Sequence, residues 1–109
     1  MYNAVAPVYY RDAVGAIIVY EITSNESFEK VKKWVTELRE HANNKDIVIM
    51  IAGNKCDMES SRRVPKKEAE AFAKVNNALH YLVSAKSGAN ITELFTELAN
   101  SITESKKNN

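Results

Sequence analysis

Two short polar stretches hold the side chains whose types and spacing could do chemistry. Gly53-Asn54-Lys55-Cys56-Asp57 brings together a carboxamide, an ammonium, a thiol and a carboxylate, and Ser84-Ala85-Lys86 adds a hydroxyl and another ammonium. Groups of this kind recognise a ligand through hydrogen bonds and charge. Covalent and metal chemistry have little to work with. Cys56 is the sole cysteine, which excludes an internal disulfide framework and a multi-cysteine zinc site. His41 and His80 lie far apart and suggest no metal pair. His80 falls in a strand pattern without an evident nucleophile partner, so neither a Ser/His/Asp arrangement nor a carboxylate pair is supported. We assign no catalytic residue and no metal ligand. Only three glycines occur, Gly15, Gly53 and Gly88, and no two of them fit G-x-G-x-x-G or G-x-x-x-x-G-K-[ST]. The sequence therefore contains no glycine-rich phosphate loop.

The two stretches need elements to hold them. Three apolar runs read as buried strands, at residues 15–20, 47–52 and 79–83. The first two are continuous and rich in Ile and Val, which suits strands covered on both faces of a parallel sheet. Between them lie helical patterns. From Asn25 to about Ala42, Phe28, Val31, Val35, Leu38 and Ala42 recur at steps of three and four, with Trp34 alongside. Pro65 opens a second helix with Ala69, Phe72 and Ala73 inward, a position where proline loses no intrahelical hydrogen bond. Asn90 is the expected N-cap of a third, with Glu93 as its capping-box partner and Ile91, Leu94, Phe95, Leu98 and Ile102 as its apolar face. The order strand, helix, strand, helix, strand, helix predicts an α/β fold with a parallel sheet and right-handed crossovers. The first two helices should share one sheet face, with the third on the other. Ligands of such sheets bind beyond the carboxyl ends of the strands, and both polar stretches sit there.

Size and charge narrow the class. A chain of 109 residues is one domain. With 15 Lys plus Arg against 14 Asp plus Glu, the formal net charge is +1, which argues against a nucleic-acid binder. The longest apolar run, residues 47–53, is too short to span a bilayer, and no signal peptide begins at Met1, so a cytoplasmic setting is expected.

Asn54-Lys55-Cys56-Asp57 matches the N-K-x-D motif of the Ras-like small GTPases, and Ser84-Ala85-Lys86 matches their S-A-K motif. Either alone is also what a polar turn after a strand looks like. Together, behind consecutive buried strands, they are specific. Within that group the chain resembles the Rab family: Tyr9-Tyr10-Arg11-Asp12-Ala13 is similar to its Y-Y-R-G-A segment, with Asp12 where glycine is usual. Val19-Tyr20-Glu21-Ile22-Thr23 is similar to its V-Y-D-[IV]-T strand end, and Ser27-Phe28 and Trp34 sit where Rabs carry S-F and W. Ala6-Pro7-Val8-Tyr9-Tyr10-Arg11 and Asp46-Ile47-Val48-Ile49 look most like the endosomal branch. The resemblance implies GTP and GDP as ligands, with guanine read by Asn54, Lys55, Asp57, Ser84, Ala85 and Lys86. Asp57 would accept the N1–H and N2–H₂ donors of guanine, which adenine cannot offer. Asn54 would bond toward O6 and N7 and brace the neighbouring loop, and the Ala85 N–H would meet O6. Lys55 and Lys86 would cover the two faces of the base, and Ser84 would hold the Asp57 carboxylate.

The resemblance also implies a partial P-loop-NTPase-type fold, with the N-terminal strands and phosphate loop missing. On this reading residues 1–13 are the remnant of the second switch, 14–107 the C-terminal, guanine-recognition part of the domain, and 108–109 a tail. Mg²⁺, effectors and exchange factors belong to the intact parent, as does any membrane attachment, which needs a prenylated tail. This chain alone should bind nucleotide weakly or not at all and should not hydrolyse GTP. An alternative is a non-catalytic interaction module. The strand from Ala16 to Tyr20 would present a bare apolar edge and pair with a second copy or swap domains. An unrelated α/β domain with chance motif matches is a third. Elsewhere the residues read blandly. Cys56 is a partly exposed thiol, Arg62, Arg63, Lys66 and Lys67 are a solvated basic surface, and Trp34 packs its helix. Tyr2, Tyr9 and Tyr10 serve either core packing or effector contact.

Overall fold

A computed structural model describes residues 15–41 and 47–107. The segment 1–13 with its tyrosines, and the tail 108–109, lie outside the described residues. The strands are β1 (Gly15–Glu21), β2 (Val48–Asn54) and β3 (Leu79–Leu82), and the helices are α1 (Asn25–His41), α2 (Lys66–Val75) and α3 (Ile91–Lys107). The strands form one parallel sheet in the order β1-β2-β3. This is the α/β grammar the sequence predicts, with strand boundaries moved by a residue or two. The largest such shift makes Asn54 the last residue of β2 rather than part of the loop beyond it.

Two crossovers moving the same way along the sheet put α1 and α2 on one face. There Ile18, Tyr20, Ile49 and Ile51 meet Phe28, Val31, Val35 and Leu38 of α1 and Ala69 and Ala73 of α2, all buried. Trp34 and Phe72 close the margins of this core. On the other face α3 lays Leu94 over Met50, Ala52 and Val83, with Ile17, Ile91 and Leu98 half-buried around them. Strand β1 is therefore covered well on one side only, and its burial alternates where the apolar run predicts cover on both faces.

Each junction has a physical cause. Ser24 begins α1 by accepting the Phe28 N–H on its carbonyl and the Ser27 N–H on its hydroxyl. Pro65 stands before α2 in an extended conformation, and its carbonyl accepts from Glu68 and Ala69. Arg39, near the end of α1, donates to the carbonyls of Ile47, Asn76 and Asn77. It thereby ties the start of β2 to the end of α2. The start of α3 departs from expectation. Asn90 does lend its carbonyl to the Leu94 N–H, but its φ is +62° and its side-chain amide donates to the Leu82 carbonyl at 2.7 Å. It anchors the helix start to the end of β3 instead of forming a capping box with Glu93.

Candidate functional site

The carboxyl ends of β2 and β3 open side by side, because their register pairs Gly53 with Leu82. Backbone bonds carry the pairing beyond the strands. Val83 N–H donates to the Gly53 carbonyl at 2.8 Å, and Cys56 N–H donates to the Val83 carbonyl at 3.0 Å. The chain then leaves β2 through Lys55, held at φ +68° in the left-handed region. That conformation costs a non-glycine residue on the order of 1 kcal/mol. It turns the backbone into a 3-10 segment, Cys56–Ser61, and puts Asp57 opposite the loop after β3.

That loop is organised by Ser84, which is fully buried. Its hydroxyl donates to Asp57 Oδ1 at 2.7 Å and accepts the Ser87 N–H at 3.1 Å. Its backbone carbonyl accepts from Gly88, and its N–H donates to the Ala89 carbonyl. A second bond crosses between the loops, from the Ala85 N–H to Asn54 Oδ1 at 3.0 Å. Two side chains of one loop thus grip two positions of the other. The Ser84 hydroxyl and the residue's own backbone N–H hold the Asp57 carboxyl below the usual carboxylate range, with Lys86 and Lys55 adding to the effect. The result is an exposed carboxylate acceptor, anionic at neutral pH and fixed at a set angle.

All six residues singled out by sequence fall within these two loops or at the end of β2. Asn54, Asp57, Ser84 and Ala85 are joined by direct hydrogen bonds. The Ala85 N–H, expected to point at a ligand oxygen, is here donated to Asn54, so the two roles compete for one proton. The Lys55 ammonium lies 3.2 Å from Glu21 Oε1, at the end of β1. Lys86 is exposed and reaches Asp57 only through its charge. Sequence reasoning named Glu21 only within a family-like strand end and Asn90 only as a helix cap, and placed neither at the site. Glu21 was findable, since it ends a strand at the ligand-binding edge. Asn90 was not, because its amide is spent on the backbone of a residue that only the fold brings close.

Among the described residues no group of three or more His, Cys, Asp or Glu side chains could hold a metal ion. The Mg²⁺ implied by the family resemblance finds no donor set there. No helix among them is long and apolar enough to cross a membrane.

Comparison with known proteins shows what the chain is similar to. The Ras family model matches residues 1–104. The Ras-related protein Rab-21 of Dictyostelium discoideum is 48% identical over 97 residues, which is 89% of this chain and 45% of the relative. Rab-21 of Homo sapiens is 48% identical over 103 residues, 94% of this chain and 45% of the relative. Rab-31 of Rattus norvegicus is 46% identical over 101 residues, 93% of this chain and 51% of the relative. The chain spans about half the length of the curated relatives it matches.

Proposed function

The chain belongs to the Ras family and is Rab-like, and from that premise we propose that its two loops form the guanine-recognition half of a small GTPase. Asp57 accepts the N1–H and N2–H₂ donors of the base. Ser84 keeps that carboxylate anionic and aimed. Lys55 and Lys86 cover the faces of the ring, and the Ala85 N–H leaves Asn54 Oδ1 to meet O6 when the base enters, which frees Asn54 for the N7 side. The observation that carries this reading is the pair of crossed bonds, Ser84 to Asp57 and Ala85 to Asn54. A fixed carboxylate beside a backbone donor matches the donor–donor–acceptor edge of guanine. Adenine, with an acceptor at N1 and an amino group at C6, would leave both unpaired.

The whole protein, on this reading, binds GTP and GDP with Mg²⁺, hydrolyses GTP, and regulates vesicle traffic at endosomal membranes through effectors and exchange factors. Phosphoryl transfer relies on positioning and neutralising the phosphates. With three glycines and no phosphate-loop pattern in this sequence, the polypeptide alone binds nucleotide weakly and does not turn GTP over. Titration with GDP and with ADP, followed by amide shifts at Ala85 and Asp57, tests the assignment. We expect guanine to be preferred by about tenfold or more, and Asp57→Asn to abolish the preference. Equal response to both nucleotides would overturn it.

One observation favours a second reading. Among the described residues strand β1 forms an edge of the sheet, and Val19 on it and Phe95 on α3 are 37% and 56% exposed. A long apolar edge is a template for strand pairing, and the occupant proposed is a second copy of the chain. Sedimentation velocity over a concentration series should show dimers that Val19→Lys removes. A monomer throughout would sink this reading.

A further inference from the structure

Tyr20 is a buried and His80 a half-buried titratable side chain, and neither has a role in the loops just described. The Tyr20 hydroxyl lies 2.8 Å from His80 Nε2, with the rings stacked at 5.9 Å between centroids. Tyr20 is on β1 and His80 on β3, so the bond spans the whole width of the sheet over β2. It crosses at Gly53, the register partner of Tyr20. A Cβ there would stand 2.7 Å from Tyr20 Oη and 2.9 Å from Leu82 Cδ2. Only glycine leaves the passage open. The next residue is Asn54, which receives the Ala85 N–H. The span therefore closes one step before the loops open.

The phenol is held from above. Its ring centroid is 5.0 Å from that of Phe28 on α1, which in turn meets Phe72 of α2 edge-on at 5.9 Å. Burial pushes the phenol up to about 12, so it keeps its proton at neutral pH. Burial also pushes the His80 ring below its usual value. Glu70 on α2 opposes that shift, and Arg62 and Lys66 reinforce it. The neutral ring can accept the phenol proton on Nε2. A protonated ring carries a hydrogen on each nitrogen, and the phenol must then turn its own hydrogen elsewhere in a largely buried site.

We propose that Tyr20 and His80 are positioning residues for the base-recognition loops, their bond across Gly53 holding the three strand ends at the spacing at which Asn54 reaches Ala85 and Asp57 reaches Ser84. The identity of the ligand rests on the guanine reading; the strap itself does not. Acid loosens it through His80.

Amide hydrogen exchange by NMR on the full chain tests it. Tyr20→Phe keeps the ring and removes the hydroxyl, His80→Phe removes the acceptor, and His80→Gln restores a polar atom near Nε2. In the first two variants, exchange at Ala85 and Cys56 should rise about three- to tenfold, the loss of one hydrogen bond. Val35 in α1 should not change, and His80→Gln should stay near wild type. Lowering the pH from about 7 to about 5, well past the ordinary imidazole value of about 6.5, should lower the protection of the same two sites, measured against the base-catalysed intrinsic exchange rate, in wild type but not in Tyr20→Phe. An unchanged ratio, a parallel rise at Val35, or a pH response that survives in Tyr20→Phe would overturn the proposal. Guanosine monophosphate added to the same samples separates the two readings. No shift at Ala85 in wild type sinks the guanine assignment, while the exchange pattern still decides the strap.

Discussion

The two faces of the sheet are built to different standards. Under α1 and α2, side chains from three strands and two helices close a core in which Ile18, Ile49, Ile51, Val35 and Ala69 have no exposed surface. Under α3 the buried set shrinks to Met50, Ala52, Val83 and Leu94, with Val19 and Phe95 open to solvent at its margin. The cause is geometric. Among the described residues two helices cover one face and a single helix the other, and α3 centres on β2 and reaches β1 at Gly15 and Ile17 but leaves Val19 open. Stability therefore sits on the α1/α2 face. The loops that carry the candidate site leave from strand ends common to both, and what steadies them is the hydrogen bonding at that edge.

The sharpest way to break this comparison is to remove one phenylalanine from each face. Phe28→Ala deletes a ring that is 2% exposed and packs on Tyr20 and Phe72. It should cost about 3–5 kcal/mol in urea denaturation. Phe95→Ala, at a half-exposed position of α3, should stay within about 0.5 kcal/mol. Equal losses would show that the α3 face carries as much of the fold as the other. Next in size is Gly53→Ala, where the new methyl group meets both the Tyr20 phenol and Leu82. Overpacking of this kind should cost about 1–3 kcal/mol, and Tyr20→Phe in the same chain should return part of it. No recovery would mean that the phenol does not pass over residue 53.

The fold was legible because its grammar is coarse. Continuous Ile and Val runs, a stripe at helical spacing from Phe28 to Leu38, and a proline before Lys66 each point one way, and tertiary packing had nothing to overrule. The two loops were legible because Asn54, Lys55, Asp57 and Ser84 keep the spacing of a motif. What stayed hidden depends on through-space coincidence. Arg39 binds carbonyls on two other elements, Asn90 turns left-handed and gives its amide to Leu82, and Tyr20 reaches His80 over a glycine. None of these leaves a periodicity. The glycine came nearest to a signal, since Gly53 closes the apolar run 47–53, and a missing Cβ at a strand marks a close approach.

Acid should weaken the stronger face first. Burial puts the titration of His80 below that of an unfolded chain, which is about 6.5. The contribution is therefore complete above that value and is lost as the pH falls through the folded-state one, because the unfolded chain takes up the proton more readily. Thermal melting should show a decline below about pH 6.5 that is shallower in His80→Phe. Glu70, which favours the charged ring, sharpens the case: Glu70→Gln should steepen the decline. A wild-type profile parallel to that of His80→Phe would remove His80 from the account.

The most local effect should come from the bond nearest the site. Ser84→Ala removes the hydroxyl that donates to Asp57 and accepts from Ser87, and touches neither core. Because that hydroxyl is the largest influence holding the Asp57 carboxyl down, its loss should move the titration of Asp57 upward toward the ordinary carboxylate value. The remaining backbone N–H and the Lys86 and Lys55 charges act in the same direction as the lost bond, so the return should be incomplete. NMR titration of the Asp57 side chain measures it directly, and the Ala85 amide reports whether the second crossed bond survives. If Asp57 titrates unchanged in Ser84→Ala, the carboxylate is not held by the neighbouring loop. What steadies the loop edge would then have to be found elsewhere.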